Sequence, residues 1–194
     1  MLTPQEAWER LKKGNKRYVE GVAKRHDFVA EREALVGGQN PYAGILSCAD
    51  SRIAPEYAFD TGRGDVFVVR LAGNFAETDG IASFEYAVQF LGTPLLVVLG
   101  HDKCGAVDAA IKASKGAELP GHLPELVANI FPAVKQATGE KGDLLENAIR
   151  DNVRLNVEKL KSASPILSQA VTDKKIMVVG GVYKLDDGRI EWLS

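Results

Sequence analysis

Two cysteines and a histidine stand where this chain could do chemistry. Cys48 follows the apolar run Ala43-Gly44-Ile45-Leu46-Ser47, and His101-Asp102-Lys103-Cys104 follows the run Leu95-Leu96-Val97-Val98-Leu99. The spacing of His101 and Cys104 lets one loop-to-helix turn present an imidazole and a thiolate together, and Cys48 adds a second thiolate. Two Cys and one His are three of the four ligands that tetrahedral zinc takes, and a three-ligand protein site with an open fourth position is the catalytic pattern. Two other readings use the same residues. The thiols could be small buried hydrophobes, or they could form one disulfide, which a reducing compartment disfavours. The other histidines, His26 and His122, lie in charged or loop-like sequence and are expected at the surface.

Asp50 and Arg52 follow Cys48 closely. In an extended or turn conformation the two can form a bidentate pair. An aspartate beside a zinc ion can occupy the open position or accept a hydrogen bond from water there. An arginine holding both carboxylate oxygens would keep it ionised and off the metal. The plain alternative is an exposed salt bridge of small worth.

The elements that must position these residues read as alternating strands and helices. The runs from Leu46, Val66, Leu95 and Ile176 are near-continuously apolar, as expected of strands buried on both faces of a parallel sheet. Helical spacing appears over about residues 79–91 and again from Asp143 to about Lys161, and Val182 to Leu193 reads as a hairpin around Asp186-Asp187-Gly188. Thr3, Pro4 and Glu6 predict a capped first helix, weakened in its middle by Gly14 and bearing only a narrow apolar stripe, which suits docking on a partner subunit. The expected fold is α/β: a mostly parallel central β-sheet flanked by helices, with an N-terminal helical arm. We read residues 1–194 as a single domain, with the arm at 1–36 and the α/β core at 37–194. In such sheets, ligands bind beyond the carboxyl ends of the strands, where both cysteines fall.

Composition excludes several classes. A net charge of −2 with intermixed signs argues against nucleic-acid or anionic-membrane binding by bulk electrostatics. No apolar run approaches the roughly 20 residues of a membrane span, and the opening MLTPQEAWERLKKGN lacks the apolar core of a signal peptide. A cytoplasmic location is therefore expected. A nucleotide-binding reading is weak, because no G-x-G-x-x-G or Walker loop follows a strand.

Cys48-Ala49-Asp50-Ser51-Arg52 after one short strand and His101-Asp102-Lys103-Cys104-Gly105 after another together resemble the β-class carbonic anhydrases. Further segments are similar: Gly64 to Arg70, the Ala72-Gly73-Asn74 turn, Ser83 to Val88, the N-terminal helix and the closing Val178 to Tyr183. The likeness spans nearly the whole chain. It implies one Zn2+ per subunit on Cys48, His101 and Cys104, with Asp50 and Arg52 as the catalytic dyad. It implies a substrate pocket of Gln39, Phe67 and Tyr86, residues that by themselves would read as loop, core and helix face. A bicarbonate regulatory site of one family branch is built around a Trp three residues before the first Cys. That position is Ile45 here, so no such site is expected.

The activity implied is reversible hydration of carbon dioxide to bicarbonate and a proton by zinc-bound hydroxide. Two thiolates neutralise the formal charge of zinc, so mildly alkaline conditions should favour it. The partners implied are this small substrate and further copies of the chain, as a homodimer or homotetramer, with no nucleic acid and no membrane. Two alternatives share the ligand set: hydrolysis of carbonyl sulfide or carbon disulfide, and a non-catalytic zinc module in which Asp50 is the fourth ligand.

Overall fold

The computed structural model describes residues 2–193, with the Phe28 side chain left aside. Five strands form one sheet: β1 (Ala43–Ser47), β2 (Val66–Arg70), β3 (Leu95–His101), β4 (Met177–Tyr183) and β5 (Ile190–Leu193). Their order is β2-β1-β3-β4-β5. The first four strands are parallel, and β5 returns antiparallel to β4 through the expected hairpin. Chain order thus reverses at β1: β2 lies on one side of it and β3 on the other. A crevice opens at such a reversal beyond the carboxyl ends of the strands.

The helices are α1 (Pro4–Val19), α2 (Phe28–Ala34), α3 (Pro55–Ala58), α4 (Thr78–Leu91), α5 (Gly105–Ser114), α6 (Leu123–Ala128), α7 (Phe131–Ala137), α8 (Leu144–Ser162) and α9 (Pro165–Thr172). Among the described residues none is long and apolar enough to cross a membrane. One face of the sheet, with Leu46, Leu96 and Val98, buries against Phe84 of α4, Val107 of α5, Val134 of α7, Val153 of α8 and Leu167 of α9. The other, with Ile45, Val97 and Leu99, buries against Ala7 and Leu11 of α1 and Phe59 after α3. Strand burial follows position. Every residue of β1 and β3 is buried, whereas the edge strand β2 is half-exposed despite its apolar sequence.

Helix α1 departs from its expected part. The capping box forms, with the Glu6 amide donating to Thr3 Oγ1 at 3.2 Å and the Thr3 amide to Glu6 Oε2 at 2.8 Å. Its narrow stripe of Ala7 and Leu11, however, is fully buried on this chain's own sheet. Gly14 is a contact point: a Cβ there would lie 1.9 Å from the Phe59 carbonyl oxygen. Next to it, buried Asn15 donates to the Ala58 and Gly188 carbonyls at 2.9 and 2.8 Å and accepts from the Ile190 amide at 3.3 Å. The polar stretch after α1 contains a short helix that composition did not announce, α2, capped by Asp27.

Candidate metal centre

Cys48 leaves the end of β1, His101 ends β3, and Cys104 is the N-cap residue of α5. All three are buried, at 3%, 0% and 1% exposure, so no ligand atom is dispersed into solvent. Cys48 Sγ and Cys104 Sγ are 4.0 Å apart, and the three ligand atoms lie within 4.8 Å of one another. Lys103, with a left-handed φ of 52°, turns the chain between His101 and Cys104.

The histidine tautomer follows from its partner. His101 Nδ1 lies 2.8 Å from the Asp102 carbonyl, which can only accept, so Nδ1 carries the proton. In the neutral ring Nε2 then offers a lone pair, and among the described residues this buried atom has no hydrogen-bond partner. A buried polar atom left so is costly unless something else binds it. Asp102 is itself fixed: its amide donates to the Tyr183 carbonyl at 3.0 Å, and its Oδ1 accepts from the Leu185 amide at 2.9 Å.

The thiols share the same logic. Cys48 is the one driven toward thiolate, chiefly by the Cys104 thiol beside it, then by His101 and the backbone amides of Gly73 and Asp50, against the effect of burial. Cys104 is pushed up, first by that contact with Cys48 and then by burial. Burial alone would lower His101, but its contacts with Cys48 and the Asp102 carbonyl outweigh this and raise it. Two buried thiols and an unsatisfied imidazole nitrogen at these separations fit a cation that would take the place of the shared proton. The donor set, two sulfurs and one nitrogen, suits zinc.

Asp50 and Arg52 pair at the rim, as their spacing allows. Arg52 Nε donates to Oδ1 at 3.0 Å, Nη2 to Oδ2 at 2.7 Å, and the Arg52 amide to Oδ1 at 2.9 Å. The guanidinium above all, helped by the Arg52 amide, holds the Asp50 carboxyl well below the usual carboxylate range, outweighing the opposing effect of burial. Asp50 Oδ2 lies 3.8 Å from His101 Nε2 while remaining on Arg52. A form in which Asp50 became a ligand would have to give up that pairing.

Motif reading missed Arg70, at the end of β2. Its Nε donates to the Cys48 carbonyl at 3.1 Å, and its Nη2 to the Asp50 and Ile53 carbonyls at 2.7 and 3.0 Å. One guanidinium thus clamps the turn that carries both a thiol and the carboxylate. The β1–β2 register sets Ser47 opposite Arg70, which would have revealed it once strand order was known.

The three expected pocket residues are elsewhere in the chain. Phe67 is level with Gly44, about 13 Å along the strand from Cys48 at the usual rise per residue. It packs on Tyr86 of α4 at 6.4 Å between ring centroids, and Tyr86 on Phe90 at 5.3 Å. Tyr86 and Phe90 are 49% and 74% exposed, so this is an apolar patch on the outside of the edge strand. Gln39 is exposed and precedes β1, at the end opposite Cys48. Of the other histidines, His122 is exposed as expected, but His26 is largely buried, with Nδ1 2.7 Å from Glu31 Oε1.

Comparison with known proteins agrees with this geometry. A family model described as carbonic anhydrase matches residues 43–190. Carbonic anhydrase 2 of Mycobacterium tuberculosis is 40% identical over 188 residues, covering 96% of this chain and 91% of that protein. The carbonic anhydrase of Mycolicibacterium smegmatis is 39% identical over 195 residues, covering 98% and 94%. Among solved structures, one of two tetrameric β-carbonic anhydrases from Sordaria macrospora matches with a TM-score of 0.71 and 26% identity, over 98% of this chain and 93% of that one.

Proposed function

This chain belongs to the carbonic anhydrase family, and on that premise we propose that it interconverts carbon dioxide and bicarbonate at one zinc ion per subunit held by Cys48, His101 and Cys104. The observation that carries the metal assignment is the buried, unsatisfied His101 Nε2 grouped with two buried thiols. Zinc bound there lowers the pKa of water and so supplies hydroxide near neutral pH.

The remaining work falls to side chains. Asp50, kept ionised by Arg52, is an acceptor at the rim of the ligand set. There it would accept a hydrogen bond from the nucleophilic oxygen, keeping its own charge, and so orient that oxygen's lone pair toward the carbon of carbon dioxide. Arg52 is the second member of the dyad: it keeps Asp50 off the metal, and its Nη2 also donates to the Lys103 carbonyl at 3.2 Å, which links the two ligand-bearing loops. Carbon dioxide offers few polar handles, so holding it beside the nucleophile in a dry cleft is most of the catalytic task.

Gln39, Phe67 and Tyr86 serve as that cleft's substrate-binding residues from a second copy of the chain. Their distance from Cys48 within one chain and the exposed Phe67–Tyr86–Phe90 patch support this, and so does the tetrameric assembly of the Sordaria macrospora relatives. The chain therefore acts as a homodimer or homotetramer, in a cytoplasmic setting that keeps both thiols reduced.

A stopped-flow hydration assay with zinc quantitation on the same preparation tests the proposal. Wild-type protein should carry zinc and hydrate carbon dioxide, and Cys48→Ser should lose both. Full zinc occupancy in Cys48→Ser would remove Cys48 from the ligand set. Zinc-loaded wild type without hydration at any pH would instead favour a non-catalytic zinc module.

A further inference from the structure

Two asparagines one turn apart on α8, Asn152 and Asn156, are buried at 2% and 6% exposure, and their amides are directed at the loop after β2. Asn152 Nδ2 donates to the Gly73 carbonyl at 2.7 Å. Asn156 Oδ1 accepts from the Ala76 amide at 2.7 Å, and its Nδ2 donates to Asn152 Oδ1 at 3.1 Å. The last contact decides how the Asn152 amide faces: its oxygen is taken, so its NH2 group points at Gly73.

Gly73 in turn donates its own N–H to Cys48 Sγ at 3.4 Å. It has little freedom to shift. Its φ is +88°, and a Cβ there would lie 2.5 Å from Ile130 Cδ1 and 3.3 Å from Ala106 Cβ. The residue is therefore wedged against its neighbours, held through its carbonyl by Asn152 and committed through its amide to a metal-ligand sulfur.

We propose that Asn152 is a positioning residue for the metal centre: by holding Gly73 it keeps that amide on the Cys48 thiolate and sets how firmly this sulfur binds the cation. This rests on the zinc assignment above. An N–H donor draws charge from a thiolate and fixes its direction, and partners of this outer kind typically govern metal affinity by about 10–100-fold. Without the Asn152 donor the Gly73 carbonyl is buried and unsatisfied, and the loop must relax to satisfy it.

The test uses the full chain, with zinc affinity measured by chelator competition and the sulfur-to-cobalt charge-transfer band recorded on the cobalt(II)-substituted protein. Asn152→Ala should weaken zinc by about 10-fold or more and move the band to lower energy, because the thiolate loses a hydrogen bond. Val153→Ala, a core truncation one residue along the same helix, should leave both unchanged. If Asn152→Ala does not fold, Asn156→Ser, which frees the Asn152 amide, is read the same way. Lowered stability in the asparagine variants with zinc affinity and band as in wild type would show Asn152 to be merely structural and overturn the proposal. An equal shift in Val153→Ala would overturn it as well. Failure of wild type to bind zinc would instead overturn the metal assignment on which it stands.

Discussion

Asp50 and Arg52, two positions apart, face each other through two side-chain hydrogen bonds, Nε to Oδ1 at 3.0 Å and Nη2 to Oδ2 at 2.7 Å. Both carboxylate oxygens are engaged, so the group is fixed in direction as well as in charge. Asp50→Asn keeps the shape but replaces one acceptor oxygen with a donor. It should retain zinc and lose carbon dioxide hydration by about 10²-fold or more. Stopped-flow hydration with metal quantitation checks this, and near-wild-type rates would remove Asp50 from catalysis.

The same pairing has a pH signature. Asp50 is depressed in the folded state, chiefly by the Arg52 side chain. Its contribution to stability is therefore present above about pH 4, the value of a free aspartate, and is lost progressively as pH falls from there through the lower folded-state value. A carbon-detected NMR titration of Asp50 should show no protonation from neutral pH down to about pH 4. In Arg52→Ala the midpoint should move upward toward the free value.

Arg70 spans three carbonyls of the Cys48–Ile53 turn. A lysine keeps the charge but has no planar fork, so it cannot replicate that clamp. Arg70→Lys should weaken zinc binding and lower activity together, read by chelator competition and hydration rate. Unchanged zinc affinity would show that the turn holds without it.

Gly14→Ala inverts a familiar rule. Alanine in a helix interior ordinarily stabilises by about 1 kcal/mol relative to glycine. Here the added Cβ would lie 1.9 Å from a backbone oxygen of Phe59. Overpacking of this kind typically costs about 1–3 kcal/mol, and a rigid backbone neighbour places the site at the upper end. Thermal denaturation should show a lower Tm, and a rise would mean that α1 shifts freely.

The exposed Phe67–Tyr86–Phe90 patch bears on assembly. Sedimentation velocity should find wild type as a dimer or larger and Phe90→Asp shifted toward monomer. Hydration should fall in that variant while zinc content stays, because Phe90 is an exposed member of that patch and not of the Cys48, His101 and Cys104 ligand set. A fully active wild-type monomer would refute the second-copy assignment of Gln39, Phe67 and Tyr86.

Much of the site was legible in the linear chain because its parts are local. Apolar runs end at Ser47 and His101, parallel strands carry their polar residues just past such ends, and short spacings tie Asp50 to Arg52 and His101 to Cys104. These depend only on strand period and on distances within one turn. The capping box at Thr3 and Glu6 and the closing hairpin are readable for the same reason.

Tertiary structure decided what strand order and register control. Gly14 reads as a helix weakness until Phe59 is brought against it. The narrow stripe of α1 reads as a partner surface until its own sheet covers it. Nothing local marks Arg70 or Asn152, since each acts on a backbone carbonyl supplied by another part of the chain, Arg70 on Cys48 and Asn152 on Gly73. Phe67 is a core residue by composition, yet its strand is at the sheet edge, so its ring faces an open patch on α4. Sequence spacing determines which groups can share a turn, whereas only the packed sheet decides which distant carbonyls, rings and amides arrive beside them.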